Sequence, residues 1–193
     1  MILFIAVSVL LTVSTGICQE VVEPKAVSTE EYEVYSDLLT GPSDHIRVVK
    51  EQTGEQEAFL SRHSFTLDTA DYFEKQSGVQ LNKEMVKEFI FLNNAVPVVL
   101  ENKFNKSLKV HLISNKERQD IFKSGGGWEV FRKKYPNSCI VEFSRVAFNA
   151  EKNMAFIYSG IMCDSKAGNG QYLLLKKENT KWVVVAHVMA WIS

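Results

Sequence analysis

Along the chain, apolar residues recur first at helical spacing and then, toward the end, with a period of two. Ser28-Thr29-Glu30-Glu31 has capping-box spacing, a hydroxyl followed three residues later by Glu. Tyr32, Tyr35, Leu38 and Leu39 continue it as a helix until Gly41-Pro42 stops the run. Residues 45–53 alternate loosely and predict a strand. Residues 66–78 predict a short helix carrying Tyr72 and Phe73. A stronger helix is predicted over 82–94, where Met85, Val86, Phe89, Ile90 and Leu92 form a broad apolar stripe and Pro97 follows.

Residues 108–113 read as a strand, and Ser114-Asn115-Lys116-Glu117 repeats the capping-box spacing ahead of Ile121 and Phe122. Gly125-Gly126-Gly127 makes a joint before a second helix marked by Trp128, Phe131 and Tyr135, which Pro136 ends. Four extended runs follow, 139–148, 154–163, 171–177 and 181–191, the last two linked by Asn179-Thr180. Strands in short-loop succession imply an antiparallel meander, with the preceding helices packed on one of its faces. The expected class is α+β, as a single domain over 28–193. No internal repeat divides it.

Composition narrows the function. With 193 residues, 46% hydrophobic and 23% charged, the chain has room for one ordinary core. A net charge of -1 argues against nucleic acid as a partner. The longest basic cluster, Arg132-Lys133-Lys134, reads as a solvated helix face. Residues 1–13 are apolar and uncharged, too short to span a bilayer, and followed by small and polar residues. This predicts a signal peptide over 1–18, with Gly16 and Cys18 at the -3 and -1 positions of a cut before Gln19, and a polar linker over 19–27. Lipid attachment at Cys18 is the rival reading, weakened by Thr15 and Ile17. Either way the protein is expected outside the cytoplasm, secreted or periplasmic, with no membrane span.

An exported chain gives its remaining cysteines, Cys139 and Cys163, an oxidising setting. A register that sets Phe148 opposite Met154 also sets Cys139 opposite Cys163. A bridge there would contribute about 3 kcal/mol by closing a loop of about 25 residues. Two buried free thiols are the alternative. Asn105-Lys106-Ser107 is a glycosylation sequon in a polar turn, which makes Asn105 a surface acceptor in a eukaryotic secretory pathway.

Catalytic motifs are scarce. The triple glycine lacks a phosphate-loop ending, and Gly168-Asn169-Gly170 reads as a turn, with anion binding by its amides as the lesser alternative. His45, His63, His111 and His187 are scattered, so neither zinc nor any other metal is supported, and no cofactor is implied. Strict alternation in the first C-terminal strand puts Cys139, Val141, Phe143, Arg145 and Ala147 on one face, and Ile140, Glu142, Ser144, Val146 and Phe148 on the other. Glu142 and Arg145 are therefore drawn toward the interior. With Tyr158 and His187 they form the candidate pocket set, weighed against a purely structural role as paired buried groups.

The carboxyl-terminal third resembles a group of uncharacterised exported proteins, mostly bacterial. The shared elements are Trp128, Phe131 and Tyr135-Pro136; then Ser144-Arg145-Val146 with Phe148-Asn149; then Gly168 and Gly170 before Tyr172; and lastly Trp182 and Trp191-Ile192-Ser193. The resemblance covers about residues 121–193. Ala147 stands where the pattern has Gly, and the cysteines lie outside the pattern. It implies export and an α+β domain, and transfers no catalytic residue. The function expected is that of a non-catalytic binding or interaction module for a protein or small molecule. The alternative is a small-pocket ligand-binding or hydrolase-like domain, for which a cone-like fold of the nuclear-transport-factor-2 type is an analogy of fold alone.

Overall fold

The capping box at Ser28 closes in both directions. Ser28 Oγ accepts the Glu31 N–H at 3.2 Å, and the Glu31 carboxylate accepts the Ser28 N–H at 2.8 Å. Helix α1 (Thr29–Leu38) starts there. The structure is a computed structural model and describes residues 26–39, 46–53, 67–94, 97–123 and 125–193. The expected leader, most of the linker, Gly41-Pro42, His45 and His63 lie outside the described residues.

The other predicted elements form close to their expected bounds. They are β1 (Ile46–Lys50), α2 (Leu67–Ser77), α3 (Lys83–Asn93), β2 (Lys109–Ile113), α4 (Asn115–Lys123) and α5 (Gly127–Lys134). Local chemistry sets these ends. Asn82 caps α3 by accepting two backbone N–H groups. Gly125 and Gly127 take positive φ at the joint between α4 and α5. Beyond Pro136 the extended runs become β3 (Ile140–Phe143), β4 (Ala147–Phe148), β5 (Met154–Asp164), β6 (Ala167–Glu178) and β7 (Lys181–Ile192). Asn179 takes a φ of 56° in the last turn.

The class is α+β, with two corrections. The sheet is mixed, in the order β2-β1-β3-β5-β6-β7, with β4 also on β5. Strands β3, β5, β6 and β7 form the expected antiparallel meander, but β1 pairs in parallel with both β2 and β3. Parallel pairing requires long return connections, and the chain supplies α2 and α3 between β1 and β2, then α4 and α5 between β2 and β3. The helices also cover both faces. Alternation in β5 sends Ile157 to the α1 side, with Tyr35, Phe143 and Trp182, and sends Phe156 and Tyr158 to the α2–α3 side, with Phe73 and Phe89. A third cluster joins Val48 and Ile140 to Ile121, Phe131 and Tyr135 of the α4–α5 segment.

The cysteine register holds and the hairpin register slips. Ile140 faces Met162 and Phe143 faces Ser159, and Cys139 and Cys163 are disulfide-bonded. Further on, Ala147 faces Phe156 and Phe148 faces Ala155, so Phe148 does not meet Met154 across the ladder as expected. Ser144, Arg145 and Val146 stand opposite only Ile157 and Tyr158. This extra residue is a bulge, and it inverts the alternation. Phe143, Val146 and Phe148 consequently share the α1 side, while Ala147 turns to the α2–α3 side.

Candidate functional site

Arg145 is the most heavily constrained residue of the bulge. It is 4% exposed, and its guanidinium meets the Glu31 carboxylate through Nε at 2.8 Å and Nη2 at 2.9 Å. The same carboxylate accepts the Val146 N–H at 3.1 Å as well as the Ser28 N–H. Burial opposes the Arg145 charge, but Glu31 overrides it and raises the pKa further.

Side chains satisfy further backbone groups of the bulge, while the Ser144 N–H donates to the Tyr158 carbonyl at 3.0 Å. Tyr35 Oη donates to the Ser144 carbonyl, and burial pushes that phenol well above its usual range. Asn93 accepts the Arg145 N–H at 2.7 Å and donates to the Arg145 carbonyl at 3.2 Å. Ser144 Oγ accepts the Tyr158 N–H at 2.9 Å. These partners satisfy backbone groups that the bulge takes out of the ladder. Arg145 fastens α1 to the sheet.

Glu142 and Tyr158 belong to a separate network on the opposite face. Lys50 Nζ lies 2.7 Å from Glu142 Oε2, the two residues being 3% and 9% exposed. Tyr158 Oη donates to Glu142 Oε1 at 3.0 Å and accepts from Trp191 Nε1 at 2.7 Å. Burial, reinforced by the Glu142 charge, raises the Tyr158 phenol far above its usual range, so it remains a donor. Glycines make the room. Glu142 faces Gly160, Gly160 faces Gly170, and Gly170 faces Trp191. A Cβ on Gly160 would lie 2.5 Å from the Glu142 carboxylate, and one on Gly170 would lie 2.5 Å from Tyr158 Oη. Gly168 and Gly170 are therefore strand residues of β6, where the sequence predicted a turn, because close packing there excludes a Cβ.

The four pocket candidates do not converge. Arg145 faces α1, Glu142 and Tyr158 face the other side, and His187 is exposed on the outer strand β7. A cavity of about 370 Å³ opens instead on the α1 side, and none of the four lines it. Its walls come from Leu38 and Leu39 at the end of α1, Ile46 and Arg47 at the start of β1, and Asn137, Ser138 and Cys139 before β3. Its floor is Val141, Phe143, Ser159, Ile161, Gln171 and Leu173. The disulfide thus forms part of a cavity wall.

A second cluster escaped the sequence reading. His111 Nε2 lies 3.0 Å from Glu117 Oε2 and 2.7 Å from Tyr135 Oη, while Tyr135 and Lys134 both donate to Glu117 Oε1. Burial works against the Glu117 charge, yet hydrogen bonds from Lys134, Tyr135 and His111 bring its carboxyl down to about 2. The expected capping box at Ser114 is only half made. Ser114 Oγ accepts the Glu117 N–H, and the Glu117 carboxylate turns away to this cluster. Charge pairing outcompeted the cap. The other basic residues of α5 are also paired, Arg132 with Asp164 and Lys133 with Glu129.

Asn105 is exposed, and its Oδ1 accepts both the N–H and the Oγ–H of Ser107 at 3.0 Å. Among the described residues no group of three or more His, Cys, Asp or Glu is placed to hold a metal ion, and no helix is long and apolar enough to cross a membrane. No protein-family model matches the chain, and no curated protein or solved structure matches it.

Proposed function

We propose that this chain is an extracytoplasmic, non-catalytic binding module whose ligand occupies the cavity on the α1 side of the sheet. The cavity is the observation that carries this reading. Its volume, about 370 Å³, is within the range of small-molecule sites, and its lining is mainly apolar with a few polar groups. The buried titratable groups support the non-catalytic part. Glu31 and Arg145 neutralise each other, as do Lys50 and Glu142, and the Tyr158 phenol is held protonated. A general acid or base needs a pKa near the working pH, and burial carries the Tyr158 phenol away from it. Export is supported by the apolar run 1–13, by the disulfide and by the resemblance of residues 121–193 to exported proteins.

Native mass spectrometry of protein recovered from its own compartment tests the reading. The expected result is an extra mass of a few hundred daltons or less, lost on denaturation, together with a deficit of two hydrogens for the bridge. A bare native mass, with no stabilisation by any small amphiphile, would refute the cavity's role. A second reading, docking of another polypeptide, is favoured by the outer strand β7, which exposes Val183, Val184, Val185, Met189 and Ile192. Light scattering with and without Val184→Lys tests it. A monomer in both cases, across the micromolar range, counts against self-association through that edge.

A further inference from the structure

Asn105-Lys106-Ser107 is the one Asn-x-Ser/Thr sequon in the chain, and Lys106 is not the proline that would disable it. All three residues are exposed. They form a tight turn ahead of β2, closed by the Leu108 N–H donating to the Asn105 carbonyl at 2.9 Å. The turn is anchored to α1. Phe104 is buried against Tyr32, with ring centroids 5.3 Å apart, and the Asn105 N–H donates to Ser36 Oγ at 2.9 Å. Inside the turn the Asn105 amide has one orientation. Its oxygen accepts both the Ser107 N–H and the Ser107 Oγ–H at 3.0 Å. A backbone N–H can only donate, so the amide atom facing it is Oδ1. Nδ2, on the other arm of the planar amide, points away from the turn and donates to no group among the described residues. A substituent on Nδ2 breaks no hydrogen bond.

We infer that Asn105 Nδ2 carries an N-linked oligosaccharide, added as the chain enters a secretory lumen. The inference rests on the export part of the reading above and is independent of the cavity. The donor is an oligosaccharide held on a polyprenyl pyrophosphate. Nδ2 attacks the anomeric carbon of the first sugar. The N–C bond forms as the C–O bond to the pyrophosphate breaks, the polyprenyl pyrophosphate leaves with the electron pair, and one amide proton passes to a base of the transferase. No oxidant or reductant takes part. Transfer takes place on the extended chain, so the fold has only to accommodate a bulky polar product, and an outward Nδ2 on an exposed turn does so. The sugar stands at the β2 edge of the sheet, five strand spacings or about 24 Å from the β7 edge, so the two do not compete for one surface.

Peptide mapping of protein recovered from its own compartment tests the site directly. The peptide containing Asn105 should carry hexose and N-acetylhexosamine, and peptide N-glycosidase should release them and leave a carboxylate in place of the Asn105 amide. Translation of the full chain in the presence of microsomes supplies the controls. The unaltered chain should become protected from added protease and gain one glycan, seen as a single mobility step that the glycosidase reverses. Ser107→Thr, which keeps the hydroxyl, should gain it as well. Asn105→Gln and Ser107→Ala should be protected equally and gain none. A chain that is protected but bears no glycan, or a recovered peptide that is wholly unmodified, would overturn the inference and leave export standing. A mobility step that survives Asn105→Gln would place the sugar elsewhere and overturn it too. A chain that stays open to protease would remove export and, with it, the inference.

Discussion

Glu31→Gln isolates the contact between Arg145 and α1. The Glu31 carboxylate accepts from Ser28 N, Arg145 Nε, Arg145 Nη2 and Val146 N. The amide keeps the shape but removes the charge, and it presents an N–H₂ toward donors. Arg145, 4% exposed, then sits in the interior without its counter-ion. Breaking one side of a buried pair costs about 3–5 kcal/mol, out of a total stability of roughly 5–15 kcal/mol. For a domain of this size that corresponds to a drop in Tm of roughly 6–20 °C. Urea unfolding followed by tryptophan fluorescence measures it. Arg145→Met alone should cost a similar amount, because it leaves the carboxylate buried. The double variant should be clearly more stable than the sum of the two losses predicts, since residues in direct contact couple. A loss below about 1 kcal/mol for Glu31→Gln, or simple additivity in the cycle, would refute the account. Arg145→Lys should also destabilise, because it loses the fork.

Three further outcomes are expected. Gly170→Ala pushes a Cβ against Tyr158 Oη and the Trp191 indole and should cost about 1–3 kcal/mol by denaturant melt, with a shifted tryptophan emission; an unchanged midpoint would mean that the glycine is dispensable. Cys139→Ala with Cys163→Ala should cost about 3 kcal/mol, as should reduction of the native protein; equal melts with and without reductant would contradict this. Glu117, held at about 2 against an ordinary 4.5, contributes its stabilisation in full above pH 4.5 and loses it as the pH falls toward 2. Glu117→Gln should therefore flatten the stability–pH curve over that window and lower the plateau above it, and a curve of unchanged slope would argue against the cluster.

What was legible in the chain follows from range. Ser28 and Glu31 are three residues apart, and Tyr135-Pro136 is one dipeptide, so the ends of α1 and α5 could be read locally. The disulfide was reached from Phe148 opposite Met154, a pair the ladder does not contain; the extra residue of the bulge offsets that slip of one, so Ile140 still meets Met162 and the cysteines align. The bulge was not legible, since Ser144-Arg145-Val146 contains no glycine to mark it, and missing it assigned Val146 and Phe148 to the wrong face. The parallel placement of β1 beside β3 joins residues some ninety apart through hydrogen bonds that leave no local pattern. The cavity was invisible for a related reason. Its lining comes from α1, β1, the β3 entry and three strands, and no window of sequence contains it. Glu142 and Arg145 were rightly drawn inward, but the partners that neutralise them, Lys50 and Glu31, came from the other half of the chain.

The bulge also bears on how the molecule comes apart. Its backbone is held from one side by Glu31 and Tyr35 of α1 and from the other by Asn93 at the end of α3. Two helices on opposite faces thus share one three-residue stretch of sheet, and neither can lift away without exposing buried donors and acceptors that the other helps to order. Amide protons of α1 and α3 should therefore exchange as one cooperative unit, although the helices lie in different layers. Assembly carries the mirror of this constraint. The contacts that secure Glu31 lie 114 and 115 residues further along the chain. Helix α1, the first among the described residues, is thus among the last to be locked, only after the strands around Arg145 have paired.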